Sequence, residues 1–385
     1  MKDKIAKELE KIKAENLYRE MPEMIEGAGK YINIDGTKYL NLSSNNYLGL
    51  STVEGVCNEA ENALKAYGTT SGASRIVTGN YKLYDDLERK TASFKNREKA
   101  LIFNSGYAAN IAVYTSICGR DTHVFSDKLN HASIIDGIQL SGAKHIRYKH
   151  CDMADLESLL EKHKDVKEKV IATDTIFSMD GDVCPLYKIV SLAEKYGAMT
   201  IIDEAHATGV FGRGRGYAHE IGLADKVDIH MGTFSKALGS FGGYVAADEL
   251  IIDFLRNKAR SFIYSTSLPP AVVGASVGAL KHLAKYPEIG GRLLDAAEDL
   301  RFFLMDLGFD TGRSMTQIIP VILGDNKRAL IAKEYLMEKG MYVAAIRPPT
   351  VPVNSARLRL SLRLDVLDEI DRIKQAFRDM KGAGI

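Results

Sequence analysis

The feature that most constrains the fold is an alternation of short apolar runs and longer helical stretches between about residues 40 and 264. Many of the runs are rich in β-branched residues, and polar or glycine-rich turns follow them. Buried strands of a mostly parallel sheet show this pattern, with crossover helices between the strands. The runs cover residues 100–103, 123–125, 170–173, 200–202, 227–231 and 244–247. The sequence therefore predicts an α/β fold.

The segments on either side differ from this central region. Residues 1–40 begin with a charged stretch whose apolar residues share one face, so we expect an amphipathic helix followed by an arm. Residues 41–270 are predicted to form the large domain, and residues 271–385 a smaller C-terminal α+β domain. The elements expected in the smaller domain are helices at 271–286 and 291–307, strands at 318–323 and 356–362, and a last helix capped by Asp365 and Asp368.

Composition limits the partners that the protein can attract. The chain has 51 lysines and arginines against 50 aspartates and glutamates, which gives a formal charge of +1. This balance creates no long-range field, so neither nucleic acid nor a membrane surface is expected as a partner. No signal-peptide pattern and no membrane-spanning apolar run is found in the sequence. The four cysteines form neither a metal-type pair nor a disulfide framework, which predicts reduced thiols in a cytoplasmic protein.

Polar residues that directly follow apolar runs are candidates for a site, because ligands of open α/β sheets bind beyond the carboxyl ends of the strands. Asp203 and His206 follow the run 200–202 in this way. Both could face a ligand; equally, Asp203 could cap the next helix and His206 could be satisfied by backbone groups. A metal is not favoured there, because no third ligand lies nearby in the sequence.

Lys236 occupies a similar position after the run 227–231. A partly desolvated lysine has a lowered pKa, and its neutral amine can attack a carbonyl group. Thr233 and Ser235 beside it supply hydroxyl groups of the kind that a phosphate needs. Taken alone, however, a lysine directly after a serine is more often a surface residue.

Two further candidates follow other runs. Ser105, Gly106 and Tyr107 open a helix, where free backbone N–H groups and the helix dipole favour an anion. An ordinary strand–helix turn would have the same sequence. His131 could stack on a planar ligand, although a structural core histidine is at least as common.

Together these candidates suggest one ligand, a planar aldehyde cofactor that carries a phosphate. The phosphate would bind at Ser105 to Tyr107 and at the hydroxyl groups near Lys236, and Lys236 would capture the aldehyde. Asp203 would pair with a protonated ring nitrogen, which keeps the ring an electron sink. The order of carboxylate, histidine and, about thirty residues later, lysine is more specific than any of its parts.

Several ordered stretches of the chain also match a known family. They are residues 41–50, 105–110, 177–182, 203–209, 233–236 and 264–270. In these stretches the chain resembles the α-oxoamine synthases, which are fold-type I (aspartate aminotransferase-like) enzymes that use pyridoxal 5'-phosphate (PLP). The resemblance covers nearly the whole chain, and it implies PLP as the cofactor and a large PLP-binding domain with a smaller C-terminal one.

The resemblance implies a role for each residue around the cofactor ring. Lys236 would form the Schiff base with PLP and act as the general base. His131 would stack on the pyridine ring, and Asp203 would pair with the ring nitrogen. His206 and Ser178 would contact the side of the ring that carries the hydroxyl group.

The resemblance also implies where the phosphate binds and how subunits assemble. The phosphate would lie at Ser105, Gly106, Tyr107, Thr233 and Ser235. The stretch that contains Thr266 and Ser267 would reach the cofactor of a partner subunit, which implies a homodimer with shared active sites.

The substrates implied by the resemblance are an amino acid and an acyl thioester. Arg359 would hold the amino-acid carboxylate, a task that suits a bidentate guanidinium. Arg19, Asn45 and Thr350 would lie at the substrate site. The reaction would be a decarboxylative Claisen condensation that gives an α-amino ketone.

Three functions stay open at this stage. Residues 345–360 most resemble family members that join L-alanine to a pimeloyl thioester of coenzyme A (CoA) or an acyl carrier protein. The alternative is the condensation of glycine with acetyl-CoA, which the serine beside Lys236 also fits. A non-catalytic scaffold of the same fold is disfavoured, because such scaffolds tend to lack the lysine.

Overall fold

A computed structural model describes residues 1–19, 21–27 and 29–385. The α-helices are, in chain order, α1 (Lys2–Ala14), α2 (Glu54–Tyr67), α3 (Lys82–Phe94), α4 (Gly106–Ile117), α5 (Ala132–Ser141), α6 (Met153–Lys162), α7 (Leu186–Tyr196), α8 (Tyr217–Glu220), α9 (Glu249–Lys258), α10 (Arg260–Ile263), α11 (Pro270–Lys285), α12 (Ile289–Asp306), α13 (Asn326–Glu338) and α14 (Ile370–Gly382). The strands are β1 (Tyr31–Ile34), β2 (Thr37–Asn41), β3 (Lys99–Phe103), β4 (Thr122–Asp127), β5 (Lys144–Tyr148), β6 (Glu168–Asp174), β7 (Met199–Asp203), β8 (Ile229–Thr233), β9 (Gly243–Ala247), β10 (Ile318–Gly324), β11 (Met341–Tyr342), β12 (Ala344–Ile346) and β13 (Ala356–Ser361). Short 3-10 helices cover Leu50–Thr52, Ala224–Lys226 and Leu364–Glu369.

The larger of two compact units contains residues 48–178 and 183–292 and holds a seven-stranded sheet. The strand order is β3-β9-β8-β7-β6-β4-β5. Strands β5, β4, β6, β7 and β8 are parallel to their neighbours in that series, whereas β9 runs antiparallel to both β8 and β3. The predicted α/β fold with a mostly parallel sheet is confirmed, and every predicted run in this region is a strand.

Burial on both faces explains why the central strands are continuous apolar runs. Successive side chains of a strand point to opposite faces of its sheet. Val170 and Ile201 pack in an apolar cluster with residues of α4 and α5, while Ile171 and Ile202 pack in a second cluster with residues of α6 and α7. Helices therefore cover both faces of the sheet, as in other doubly wound folds.

Polar residues end four of the sheet's strands. Asp127 ends β4, Asp174 ends β6, Asp203 ends β7 and Thr233 ends β8. Because these four strands run in the same direction, all four side chains lie at one edge of the sheet. That edge is where ligands of open α/β sheets bind.

The smaller unit contains residues 1–47, 179–182 and 293–385. It has two three-stranded sheets, in the orders β1-β2-β11 and β10-β13-β12, and α13 packs against strands of both. The N-terminal helix expected from the sequence is α1, which has no buried residue. The predicted strands at 318–323 and 356–362 correspond to β10 and β13.

The end of the chain corrects one expectation. Asp365 and Asp368 do not cap the last helix, because a 3-10 helix over Leu364–Glu369 precedes α14. Asp365 instead forms an ion pair with Arg363, and Asp368 forms one with Lys30. The two carboxylates therefore stabilise contacts inside the smaller unit.

Helix α11 belongs to the larger unit, where it packs closely along α2. A Cβ atom added at Gly274 would lie 2.4 Å from the Glu59 carbonyl oxygen, and one at Gly278 would lie 2.9 Å from the Val56 Cα atom. Glycines thus allow the two helices to approach each other.

The predicted domain boundaries at residues 40 and 270 stay a prediction. No described helix is long and apolar enough to cross a membrane.

Candidate active site

A cavity of about 200 Å³ opens in the larger unit at the edge of the sheet where the parallel strands end. Most of its lining comes from residues that directly follow strands or begin helices. The lining residues that the sequence predicts are Ser105, Gly106, Tyr107, His131, Ser178, Asp203, His206, Thr233, Ser235 and Lys236. The structure therefore brings together residues that are more than a hundred positions apart in the chain.

Lys236 lies in the turn that follows β8, and its side chain is half-buried. Backbone hydrogen bonds from Phe234 to Gly242 (2.9 Å) and from Gly239 to Lys236 (2.9 Å) hold this turn. The Nζ atom lies 2.8 Å from Nε2 of His206. Two nitrogens at this distance share one hydrogen, so one of them presents a lone pair to the other. The turn thus places an amine and a possible proton acceptor in contact.

Asp203 ends β7 and is only 5% exposed. One carboxylate oxygen accepts from the Asn110 side chain (2.9 Å) and the other accepts from the Ala205 backbone N–H (2.8 Å). These two donors fix the orientation of the carboxylate. Since a carboxylate offers about four lone-pair sites, a further donor can bind to it.

A chain of hydrogen bonds connects Asp203 to His131. The side-chain amide of Asn110 donates to Asp203 and also to the Ser133 hydroxyl oxygen, at 2.8 Å. That hydroxyl lies 2.7 Å from Nδ1 of His131, and the Ser133 backbone N–H donates to the same nitrogen at 3.2 Å. Because Nδ1 accepts, the neutral ring carries its proton on Nε2.

The environment keeps His131 neutral. Burial lowers the pKa of His131, the nearby Asp203 charge partly offsets that effect, and the Lys236 charge adds to it. An uncharged imidazole stacks on a cationic aromatic ring without charge repulsion. The position and protonation state of His131 therefore fit the stacking role predicted for it.

The start of α4 forms a cradle for an anion. Ser105 is the N-cap, and its hydroxyl oxygen accepts from the Ala108 backbone N–H at 3.0 Å. A Cβ atom built on Gly106 would lie 3.6 Å from Cβ of Thr233, so the helix start contacts the end of β8. The Thr233 hydroxyl is hydrogen-bonded to Ser235 and donates to the Gly242 carbonyl. Backbone N–H groups, a helix dipole and hydroxyl groups thus meet in one place, as a phosphate requires.

Gly243 allows this cradle to form. It begins β9, and a Cβ atom there would lie 2.6 Å from the Ser105 carbonyl oxygen and 2.7 Å from the Gly106 nitrogen. Any larger residue would therefore push the N-cap of α4 away from the sheet. The sequence shows glycines near Lys236 but does not show which of them makes this contact.

Sequence reasoning missed three polar residues of the site: Asn110, Ser133 and Asp174. Asp174 ends β6, lines the cavity and is the register partner of Asp203 in the neighbouring strand. Burial, and then the Asp203 charge, raise the pKa of Asp174 well above its ordinary value. Asp174 directly follows the apolar run 170–173, as Asp203 follows the run 200–202. The search for polar residues after apolar runs could therefore have found Asp174.

Two predicted cofactor residues do not line this cavity. Thr266 is exposed, and its carbonyl oxygen accepts from the Asn104 side chain at 2.8 Å. Ser267 is buried, and its hydroxyl donates to the Ala73 carbonyl at 3.2 Å. The contact predicted for them is with the cofactor of a partner subunit.

Arg359 lies in β13 of the smaller unit and is 5% exposed. One guanidinium nitrogen donates to Asn45 Oδ1 (3.2 Å) and to the Ser361 hydroxyl (2.6 Å), and the other lies 3.4 Å from the Tyr47 hydroxyl. The structure therefore brings together Asn45 and Arg359, two predicted substrate residues that are 314 positions apart.

Arg19 and Thr350 also meet in the smaller unit. The guanidinium of Arg19 donates to the Thr350 hydroxyl at 3.1 Å, and both residues line a cavity of about 1150 Å³. Arg347, which sequence reasoning missed, donates to the carbonyl groups of Asn16 and Tyr18 and so attaches the N-terminal arm to this cavity. The two residues that the resemblance assigns to substrate thus share one cavity.

The donor set in the larger unit fits PLP. It offers an anion cradle for the phosphate, a buried carboxylate for the ring nitrogen, a neutral histidine and a lysine amine. The model of the aminotransferase class I and II family matches residues 37–370. The chain belongs to that family. Its cofactor is PLP, and it is an acyltransferase of the α-oxoamine synthase type, as the resemblance implies.

Similar proteins carry names from this group. An 8-amino-7-oxononanoate synthase of Citrifermentans bemidjiense is 49% identical over 363 residues, which cover 93% of this chain and 92% of that protein. Serine palmitoyltransferase from S. paucimobilis, solved with PLP and myriocin bound, has a TM-score of 0.91 and 29% identity, with 99% of this chain and 98% of that chain covered. The 8-amino-7-oxononanoate synthase of Francisella tularensis has a TM-score of 0.77 and 28% identity, with 90% and 99% covered.

Proposed function

We propose that the protein condenses L-alanine with a pimeloyl thioester, with loss of carbon dioxide, to form 8-amino-7-oxononanoate, a step of biotin biosynthesis. The observation that carries this proposal is the 49% identity to a synthase of that name over 93% of the chain. The arrangement around Lys236 supports the chemistry, because it supplies each group that such a condensation needs.

PLP held in this cavity would supply an electron sink that acidifies the α-carbon of the amino acid once that amino acid has replaced Lys236 on the cofactor. The residues around it then have separate tasks. The Lys236 amine removes the α-proton as general base, and His206, whose Nε2 lies 2.8 Å away, holds or receives that proton. The carboxylate of Asp203 would stabilise the protonated, positively charged form of the ring nitrogen. The neutral His131 ring covers one face of the site.

Orientation of the amino acid is the second requirement. We propose that Arg359 binds the substrate carboxylate through two parallel N–H donors, because its guanidinium is already fixed by the oxygens of Asn45 and Ser361. A clamp that is oriented before substrate arrives loses little conformational entropy on binding. Arg19 and Thr350 are proposed to contact the acyl thioester.

A substrate comparison tests the proposal. Purified holoenzyme is assayed with L-alanine and pimeloyl-CoA, with glycine and acetyl-CoA, and with L-serine and palmitoyl-CoA, and kcat/KM is measured for each pair. We expect the first pair to be preferred by at least about tenfold over glycine, because a single methyl group contributes roughly 1–3 kcal/mol of discrimination. Faster turnover of either other pair would contradict the proposal. Repeating the first assay with a pimeloyl-loaded acyl carrier protein identifies the preferred donor.

We also propose that the protein is a homodimer in which Thr266 and Ser267 approach the partner's cofactor. Large apolar side chains near this stretch support the proposal, since Tyr264 is 72% and Val77 is 73% exposed. Sedimentation equilibrium of the holoenzyme tests it, and the expected mass is twice that of one chain. A fully active monomer would contradict it.

A further inference from the structure

A second group of ligand-type side chains lies at the same edge of the sheet, outside the lining of the Lys236 cavity. Asp127 ends β4, and His150 and Cys151 follow the neighbouring strand β5. The two strands pair in parallel with Asp127 opposite Tyr148, so the side chains that follow them meet. Among the residues that the structure describes, one donor atom from each of Asp127, His150 and Cys151 lies within 4.8 Å of the other two.

The spacing of these donor atoms is close to that of a tetrahedral zinc site. Nδ1 of His150 lies 2.9 Å from Oδ1 of Asp127 and 3.7 Å from Sγ of Cys151. Ligand atoms at about 2.0–2.3 Å from a tetrahedral Zn²⁺ ion are about 3.3–3.6 Å apart. The His150 nitrogen and the sulfur therefore have about the required separation, but the Cys151 side chain must rotate to face Nδ1, and the His150 nitrogen and the Asp127 oxygen must move apart by a few tenths of an ångström.

The carboxylate is held in place by backbone donors. Asp127 is 1% exposed, and its two oxygens accept from the backbone N–H groups of Leu129 (2.8 Å) and Cys151 (2.8 Å). The His150 ring packs edge-on against Phe177, with 4.4 Å between the ring centroids. Partners of this kind orient metal ligands and raise the affinity of a site.

The backbone of Cys151 is also constrained. Its φ angle is 54°, in the left-handed region that non-glycine residues seldom occupy and that costs of order 1 kcal/mol or more. In this conformation Sγ lies 3.7 Å from Nδ1 and 3.8 Å from Nε2 of His150, so a rotation about the Cα–Cβ bond of Cys151 is needed to bring the sulfur in front of Nδ1. Without a metal ion, the thiol donates to the Val183 carbonyl at 3.8 Å.

We propose that Asp127, His150 and Cys151 bind a Zn²⁺ ion, with water as the fourth ligand. On binding, Cys151 gives up its thiol proton to solvent; the His150 proton that faces Asp127 moves from Nδ1 to Nε2 by exchange with solvent, so the imidazole stays neutral, and no electrons are transferred. A thiolate with an imidazole favours Zn²⁺ over Mg²⁺ or Ca²⁺, which prefer oxygen ligands. Three protein ligands with one open position are the arrangement of an exchangeable or reactive zinc site rather than a closed structural one.

Calorimetric titration of the PLP-loaded protein with Zn²⁺ tests this site. We expect one ion to bind per chain. Cys151→Ser should weaken binding at least about a hundredfold, since loss of an outer partner of a metal ligand alone costs 10–100-fold. The matched control is Cys57→Ser, which removes an exposed thiol from α2 and should bind Zn²⁺ as the unaltered protein does. Equal binding by Cys151→Ser and the unaltered protein would overturn the proposal.

A second measurement covers the case in which Cys151→Ser folds poorly. Addition of Co²⁺ to the holoenzyme should produce a thiolate-to-cobalt charge-transfer band in the difference spectrum, and His150→Gln should weaken that band as well. Thermal unfolding checks that each variant is folded. Zn²⁺ should raise Tm in the unaltered protein and in Cys57→Ser, because a ligand bound only to the native state stabilises it. A cobalt band that persists in folded Cys151→Ser would assign the thiolate to another cysteine and overturn the proposal.

Discussion

Asp174 and Asp203 lie side by side at the ends of β6 and β7, where they are register partners in the parallel ladder. Both line the cavity that contains Lys236. Burial and the Asp203 charge raise the pKa of Asp174 well above its ordinary value. Burial and the neighbouring charge therefore favour the protonated form of Asp174.

This difference predicts unequal effects of the same substitution. Asp174→Asn replaces a carboxyl whose protonated form is favoured by an amide of nearly the same shape, and the amide oxygen can still accept from the His131 backbone N–H, so kcat should fall less than about tenfold. Asp203→Asn removes the carboxylate that we propose pairs with the ring nitrogen, and kcat should fall about 10²–10³-fold, as for other fixed electrostatic groups. Steady-state kinetics with the preferred substrate pair measures both. Equal losses would show that the charge is not confined to Asp203.

Lys236→Ala should lower turnover by at least about a thousandfold, because it removes the amine that we propose binds the cofactor and then acts as general base. Borohydride reduction followed by mass spectrometry should add PLP to the unaltered chain and not to this variant. Lys258→Ala, which changes an exposed lysine at the end of α9, is the control and should be labelled normally. Undiminished labelling of Lys236→Ala would place the cofactor on another lysine.

The central sheet could be predicted because strands buried on both faces are continuous apolar runs. Strand β5 was missed because it lies at the edge of the sheet, where Lys144 and Arg147 are exposed and break the apolar run. The first sheet of the smaller unit was missed for a related reason, because its strands are short and partly exposed. A strand can thus be predicted from its apolar run when both of its faces are buried.

Site residues that directly follow a strand could be predicted from the sequence. Site residues that reach the cavity only through tertiary packing could not. Asp203 and Lys236 each follow an apolar run, so position alone marks them. Asn110 contacts Asp203 across 93 positions and Ser133 across 23, and only the packing of α4 against the sheet and against α5 creates these contacts. No spacing rule connects such residues.

Arg359→Lys should raise KM for the amino acid by about 10–100-fold and change kcat much less. The substitution keeps a positive charge but removes the planar, two-pronged donor that matches a carboxylate. Initial rates at saturating acyl thioester and varied amino acid measure the effect. A fall in kcat with unchanged KM would contradict a role in binding the carboxylate.

Removing one partner of a buried ion pair should cost more stability than removing one partner of an exposed pair, because the remaining charge stays buried. Lys95 and Glu204 are completely buried, and Glu204 also accepts from the Ala218 N–H at 3.0 Å. Glu204→Gln leaves the Lys95 charge buried without its carboxylate, which should cost about 3–5 kcal/mol of unfolding free energy. Glu249→Gln removes the exposed pair with Lys99 and should cost far less. Urea unfolding compares the two, and similar losses would contradict the prediction.

His219 should make the stability of the larger unit depend on pH. Its Nε2 contacts the Lys95 carbonyl at 3.0 Å. Burial, and then the positive charge of Lys95, lower the pKa of His219 to about 4, whereas an unfolded histidine titrates near about 6.5. Between these values the unfolded chain binds more protons than the native one, so the unfolding free energy should decrease as the pH is lowered from about 6.5 to 4. Below that range both states are protonated and the effect ends.

His219→Gln isolates this contribution, because glutamine keeps an N–H donor for the Lys95 carbonyl but does not titrate. The unfolding free energy of the variant should decrease less steeply than that of the unaltered protein over the same range of pH. Urea unfolding at several pH values between about 4 and 7 gives the difference between the two curves, in which the contributions of the other histidines cancel. Parallel curves would mean that His219 has the same pKa in the folded and unfolded chains, and that the Lys95 charge beside it is screened.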